Sequence, residues 1–191
     1  MRFHGFSRRR LVVLLLTMGM AVTAWSHDDD DDDGDELEFQ LLGAGRYMLT
    51  GTDTVVDFTF FAEQDDDDAK GRFRQSLIFQ DLPIEFHGKV TCLAVDADNG
   101  RVWVGGVVTR NLSVHPGFTT AIHAPGRDVW FRILDTGKKA TEPDRSTFLG
   151  FEGAAGILTS EEYCEVKPWP DNNDRTHPVI KGKIRLKLDD D

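Results

Sequence analysis

From Phe39 onward, hydrophobic and polar positions alternate with a period of two. Val56, Phe58 and Phe60 fall on one parity, with Asp57 and Thr59 between them. Phe73, Leu77 and Phe79 share a face, and Arg72, Arg74, Ser76 and Gln80 fall mostly opposite. Phe86, Val90, Cys92 and Ala94 alternate with Glu85, His87, Lys89 and Thr91. Val102, Val104, Gly106 and Val108 continue the rhythm, as do Val129, Phe131 and Ile133. In the last run Ile180, Ile184, Leu186 and Leu188 take one side and Lys181, Lys183, Arg185 and Lys187 the other. Successive strand residues face opposite sides of a sheet, so each run predicts a half-buried strand. No stretch holds a sustained helical period. Residues 152–165 are the single candidate, weakened by Gly153 and Gly156.

Turn signals separate the runs. Asp98-Asn99-Gly100 lies between two strong strands and predicts a hairpin over residues 84–109. Residues 50–53 and 65–71 separate earlier strands. Short connections make neighbours antiparallel, and repeated strand-turn-strand without helices predicts an all-β fold of about eight strands, a closed barrel or a two-sheet sandwich. Two stretches break the rhythm: residues 111–127, with His115-Pro116-Gly117 and His123-Ala124-Pro125-Gly126, and the polar residues 137–146. Long loops on a compact β domain are favoured places for a site.

The first 26 residues do not belong to this pattern. Arg8, Arg9 and Arg10 precede an almost continuous apolar run, and Ala24-Trp25-Ser26 places small residues at −3 and −1 of a cleavage site. This predicts a signal peptide over 1–26, an acidic low-complexity linker over 27–38 and a single β domain over 39–191. The three arginines fit both the general secretion and the twin-arginine routes. The mature product is then exported, periplasmic or extracellular, with no membrane span left after cleavage.

Charge sharpens this picture. The 191 residues carry 33 acidic and 22 basic side chains, a net charge of −11. Loss of residues 1–26 removes four arginines and no acid, taking the charge to −15. Such a surface argues against nucleic acid and anionic lipid as partners and draws cations. Much of the charge lies in runs of Asp at 28–33, 65–68 and 189–191. Asp29, Asp31, Asp33 and Asp35 copy the opening of a calcium loop, with Gly34 among them. The twelfth position is Gln40, not the bidentate Glu an EF-hand needs, so any Ca2+ held there is weakly bound. No other cofactor is expected.

Two cysteines in an exported chain predict a disulfide, Cys92 to Cys164. His115 and His123 share one loop and are candidate metal ligands, together with Asp128 or Glu142, although no ligand spacing marks them. Trp103 and Trp130 lie opposite the aliphatic parity of their strands. They are candidate exposed ligand-stacking residues, with burial under a second layer as the alternative. Motifs for a serine nucleophile elbow, a phosphate loop, a dinucleotide fold or a CxxC pair are missing.

Gly88-Lys89-Val90-Thr91-Cys92-Leu93-Ala94-Val95, followed by Val102-Trp103-Val104-Gly105-Gly106, resembles a pattern in uncharacterised small secreted bacterial β-rich proteins. A glycine-rich first strand (43–49) and a late Cys164 before a Pro-rich stretch and closing strand are similar too. The resemblance implies the fold and a bacterial setting, and no activity. The expected function is therefore a non-enzymatic binding or surface protein whose partner is a small ligand, a glycan or a protein. The alternatives are a cyclase- or hydrolase-type enzyme with its site in the 111–127 and 137–146 loops, and a structural surface component.

Overall fold

The computed structural model describes residues 37–65, 68–137 and 140–188. The predicted leader, the acidic linker up to residue 36 with Asp29, Asp31, Asp33 and Asp35, and the terminal Asp run lie outside the described residues. The elements are β1 (Leu37–Met48), β2 (Val55–Asp65), β3 (Asp68–Phe79), β4 (Leu82–Asp96), β5 (Arg101–Asn111), β6 (Asp128–Leu134), β7 (Arg145–Ser146), β8 (Gly150–Phe151), α1 (Ser160–Val166) and β9 (His177–Leu188).

All strand pairs are antiparallel. The order β5-β4-β3-β2-β1-β9-β7-β6 returns to β5 through a β5–β6 ladder, so eight strands close into a barrel. The ninth, β8, pairs with the start of β6. Of the two architectures the pattern allows, the closed one forms, and closure leaves few sheet edges exposed.

The predicted parities point inward. Val56, Phe58, Phe60, Phe73, Leu77, Val102, Val104, Val129, Phe131 and Ile133 all join one interior cluster. Aromatic rings meet across it: Phe60 and Phe73 each pack on Phe131, at 5.7 and 5.4 Å between centroids. One polar group is built into this core. The Tyr47 hydroxyl lies 2.8 Å from Gln75 Oε1 and 3.0 Å from the Thr147 carbonyl, which satisfies a buried phenol that burial holds well above its ordinary pKa.

Two bulges and one tight turn overturn three of the expected alternations. The β4–β5 register slips between Val90 and Cys92, so Leu93 enters the core while Cys92 and Ala94 turn outward. The β1–β9 register slips between Arg46 and Tyr47, where Val179 rather than Ile180 faces Tyr47. Ile180 is the extra residue and is exposed. Gly182, at φ +101°, makes the bend beside it. Phe79 ends its strand and is exposed, because the next two residues, Gln80 and Asp81, form a tight turn at positive φ.

Part of the outer face of β4, β5 and β6 is covered as well. Trp103 is 1% and Trp130 3% exposed. They pack with Ala94, Ile157, Tyr163 and Cys164 beneath α1, so the expected exposed stacking pair is corrected to a buried one. The helix occupies the last part of the weak candidate stretch, after Gly156. Thr159 caps it by accepting from the Glu162 amide (3.1 Å), Glu162 reaches back to the Leu158 amide (2.8 Å), and Lys167 in the left-handed region ends it. Local propensity alone is too weak for seven residues; burial of Tyr163 and Cys164 holds them.

The disulfide joins Cys92 and Cys164 as expected, with Cα atoms 6.3 Å apart. A Cβ at Gly105 would stand 2.4 Å from Cys92 Sγ, so glycine there makes room for the bond. Beyond α1 the chain straps across β5 and β6. The Trp103 indole donates to the Pro168 carbonyl (2.9 Å). Arg132, 1% exposed, donates to the carbonyls of Trp169 and Asp174.

Candidate functional site: a carboxylate rim and a cleft in the barrel wall

The two ends of the barrel differ in chemistry. At one end, the loop end, residues 112–127 fold over the opening. Asn111 ties this loop down by donating to the carbonyls of Phe118 and His123 (2.7 and 3.0 Å). Phe118 and His123 pack on Phe86, at 6.2 and 5.9 Å between centroids, and His123 meets Phe151 edge-on at 4.5 Å. His123 is buried, and desolvation lowers its pKa. Its Nδ1 shares a hydrogen with Thr120 at 2.8 Å. His115 instead holds the Gly117 amide on Nδ1 (3.1 Å) and approaches Gln80.

The two histidines thus have separate structural partners in the loop, with Phe118 packed on both rings. Asp128, a predicted co-ligand, is taken by the amide and hydroxyl of Ser160 (3.0 and 2.7 Å). Among the described residues no three His, Cys, Asp or Glu side chains gather at metal-binding spacing. No described helix is long and apolar enough to cross a membrane.

The opposite end collects the carboxylates. Register places Leu37 of β1 opposite Asp65 of β2, and Phe39 of β1 opposite Leu188 of β9. Asp65 ends β2 and Asp68 opens β3 at this end. The remaining connections at this end add Asp96, Asp98, Asp135, Glu142 and Asp144. Along the chain the charge is segregated: residues 39–188 hold 21 acids and 18 bases, nearly balanced, and the other twelve acids precede or follow that stretch.

Beside this rim the barrel wall has a gap. β7 meets β9 only at His177 and Pro178. From Gly182 to Leu188, β9 has β1 on one edge and no strand on the other. Two carboxylates replace the missing ladder. Asp144 Oδ2 accepts from the Ile184 amide and Asp135 Oδ2 from the Leu186 amide, both at 2.8 Å. Each is fixed in turn: Asp144 Oδ1 accepts from Thr136 N (3.2 Å) and Oγ1 (3.1 Å), and Asp135 Oδ1 from Gly137 N (2.8 Å). Such charge-assisted bonds satisfy an edge without extending the sheet.

The gap is a cleft of about 970 Å³ lined by Asp135, Thr136, Glu142, Pro143, Asp144 and the β9 edge through Leu188. A second cleft of about 720 Å³ shares Asp135, Glu142, Leu186 and Leu188 with it and reaches Asp98 and Asn99. Of the two loops that the sequence points to, the 137–146 stretch borders these clefts, and the 111–127 stretch is a packed cover. The cleft depends on Asp135 and Asp144, which carry no sequence motif; their isolated position in a polar stretch hides their role. The chain matches no family model, no curated protein and no solved structure.

Proposed function

We propose that the protein is an exported, non-enzymatic binding domain that takes a cationic ligand at the carboxylate rim and its adjoining cleft. The observation that carries this reading is the gathering of Asp65, Asp68, Asp96, Asp98, Asp135, Glu142 and Asp144 at the end of the barrel where the wall is open. Like charges brought together cost folding energy, and a bound cation offsets that repulsion. The aromatic filling of the interior supports binding at the rim over chemistry inside the barrel, because a reaction chamber needs apolar space with convergent polar groups. The Cys92–Cys164 bond supports export, since such bonds persist in oxidising compartments.

Calorimetric titration tests the reading with two probes, calcium chloride and hexalysine, at low and physiological salt. The expected result is binding of hexalysine that weakens as salt rises. Binding should also weaken in a Glu142→Gln, Asp98→Asn double variant. Calcium should bind, if at all, in the millimolar class. Silence with both probes at low salt overturns the reading. N-terminal sequencing of the exported form, with His27 expected first, tests its localisation.

A further inference from the structure

The outer faces of β3 and β4, continued by residues 112–114, carry a different surface. Ile78 stands opposite Pro83 in the β3–β4 register. Past the end of β5 the chain keeps pairing with β4. The Leu112 amide donates to the Glu85 carbonyl and the Val114 amide to the Pro83 carbonyl, both at 2.9 Å. Ile78, Pro83 and Val114 therefore form one row across three strands, with Leu112 beside it. Their exposure is high for aliphatic side chains: 61% for Ile78, 60% for Val114 and 51% for Leu112.

The next row on this face is Ser76, Glu85 and Leu112, and the rows beyond it are cationic. Arg74 faces His87, which faces Arg110, and Arg72 faces Lys89. Like charges directly opposite on neighbouring strands are unfavourable, so these rows are not explained by sheet stability. One acid enters them. Glu85 accepts from Arg74 at 2.8 Å and lies 2.7 Å from His87, and the Arg74 bond is the main reason its pKa falls to about 2. Among the described residues Arg72, Lys89 and Arg110 have no ion-pair partner. Asp81 sits in the turn beyond the apolar row, outside the cationic rows.

We propose that this face docks the protein peripherally on an anionic lipid bilayer. The apolar row enters the headgroup boundary, and Arg72, Lys89 and Arg110 meet lipid phosphates. The overall negative charge argues against such a partner only if it is spread evenly. Here twelve of the 33 acids lie outside residues 39–188, whose 21 acids and 18 bases nearly balance. Unpaired cations beside exposed aliphatic side chains complement a surface that is anionic outside and apolar beneath. Docked this way, the carboxylate rim is left free for its own ligand.

Co-sedimentation with vesicles tests the proposal. Phosphatidylglycerol–phosphatidylcholine vesicles are compared with pure phosphatidylcholine, and all variants are made in the same full chain, so any contribution of residues 1–26 is common to them. The protein should bind the anionic vesicles and lose about tenfold or more in affinity in Leu112→Asp, Val114→Asp and in Arg72→Glu, Lys89→Glu. A Lys167→Glu, Lys181→Glu control, outside both this face and the cleft lining, should bind as the parent does. All these side chains are exposed, and unchanged near-ultraviolet dichroism confirms their folding. Equal binding by every variant, or none by the parent, overturns the proposal. So does a dimer, seen by light scattering, that the same two variants abolish, because a second copy is then the occupant.

Discussion

The wall formed by β4, β5 and β6 and the wall beside β9 are built to opposite ends. The first is covered twice. Its inner face packs on the aromatic core, and the part of its outer face around Ala94, Trp103 and Trp130 lies beneath α1 and the strap, with the disulfide fastening one layer to the other. The second lacks even a full ladder, and two aspartates stand in for a strand. The difference teaches where this barrel tolerates access. Reinforcement is concentrated under α1 and the strap, and a wall held by side chains can open without unzipping a ladder.

The largest effect should come from releasing the doubled wall. The disulfide closes a loop of 72 residues, for which the chain-entropy model gives about 4 kcal/mol. Cys92→Ala with Cys164→Ala should lower the urea midpoint by an amount of that order, without changing hexalysine affinity at temperatures where the variant stays folded. A loss of affinity equal to the loss of stability would mean that the two walls are one mechanical unit, and the contrast drawn above would fail.

The contrast also explains what a linear reading of the chain recovers. Alternation finds interior residues wherever two strands run in register, which is why Val56 through Phe60 and Val129 through Ile133 are placed correctly. It fails one residue past a bulge. Cys92, Ala94 and Ile180 change sides because a single extra residue shifts the parity of the strand, and the bulge is set by pairing with a partner strand, adjacent β5 in one case and distant β1 in the other. Parity also locates Trp103 and Trp130 on the outside of the barrel. It cannot register that α1, much later in the chain, comes back to cover them. The seam is hidden for the same reason. Asp135 and Asp144 matter because of amides on β9, 51 and 40 positions away respectively. By contrast, the cysteine pair was legible, since two cysteines allow one pairing.

A smaller effect should follow from opening the seam further. Asp144→Ala removes the acceptor for the Ile184 amide and for two donors of Thr136. The cost should be about 1–3 kcal/mol, toward the lower figure because water reaches the cleft. Amide exchange at Ile184 and Leu186 should accelerate far more than exchange at Val104 or Phe131. Acceleration spread evenly over both walls would show that the seam has no stability of its own.

The smallest effect separates the sealed end from the seam by pH. Burial lowers the pKa of His123 beneath the loop and, aided by the Arg145 charge, that of His177 at the start of β9. A base with a depressed pKa in the fold is neutral there over a range in which the unfolded chain takes up a proton. Its contribution is therefore complete above the unfolded value of about 6.5 and declines as pH falls below it, until the folded imidazole also protonates. Lowering the pH from 7.5 to 5 should reduce the urea midpoint, and His123→Gln should flatten that slope even if it lowers stability at pH 7.5. Exchange at Ile184 and Leu186, corrected for its intrinsic pH dependence, should follow the change only to the extent that those amides open by global unfolding. If His123→Gln leaves the slope unchanged, the packing of Phe86, Phe118 and Phe151 around the ring does not exclude water, and the loop end is less sealed than its aromatic cover indicates.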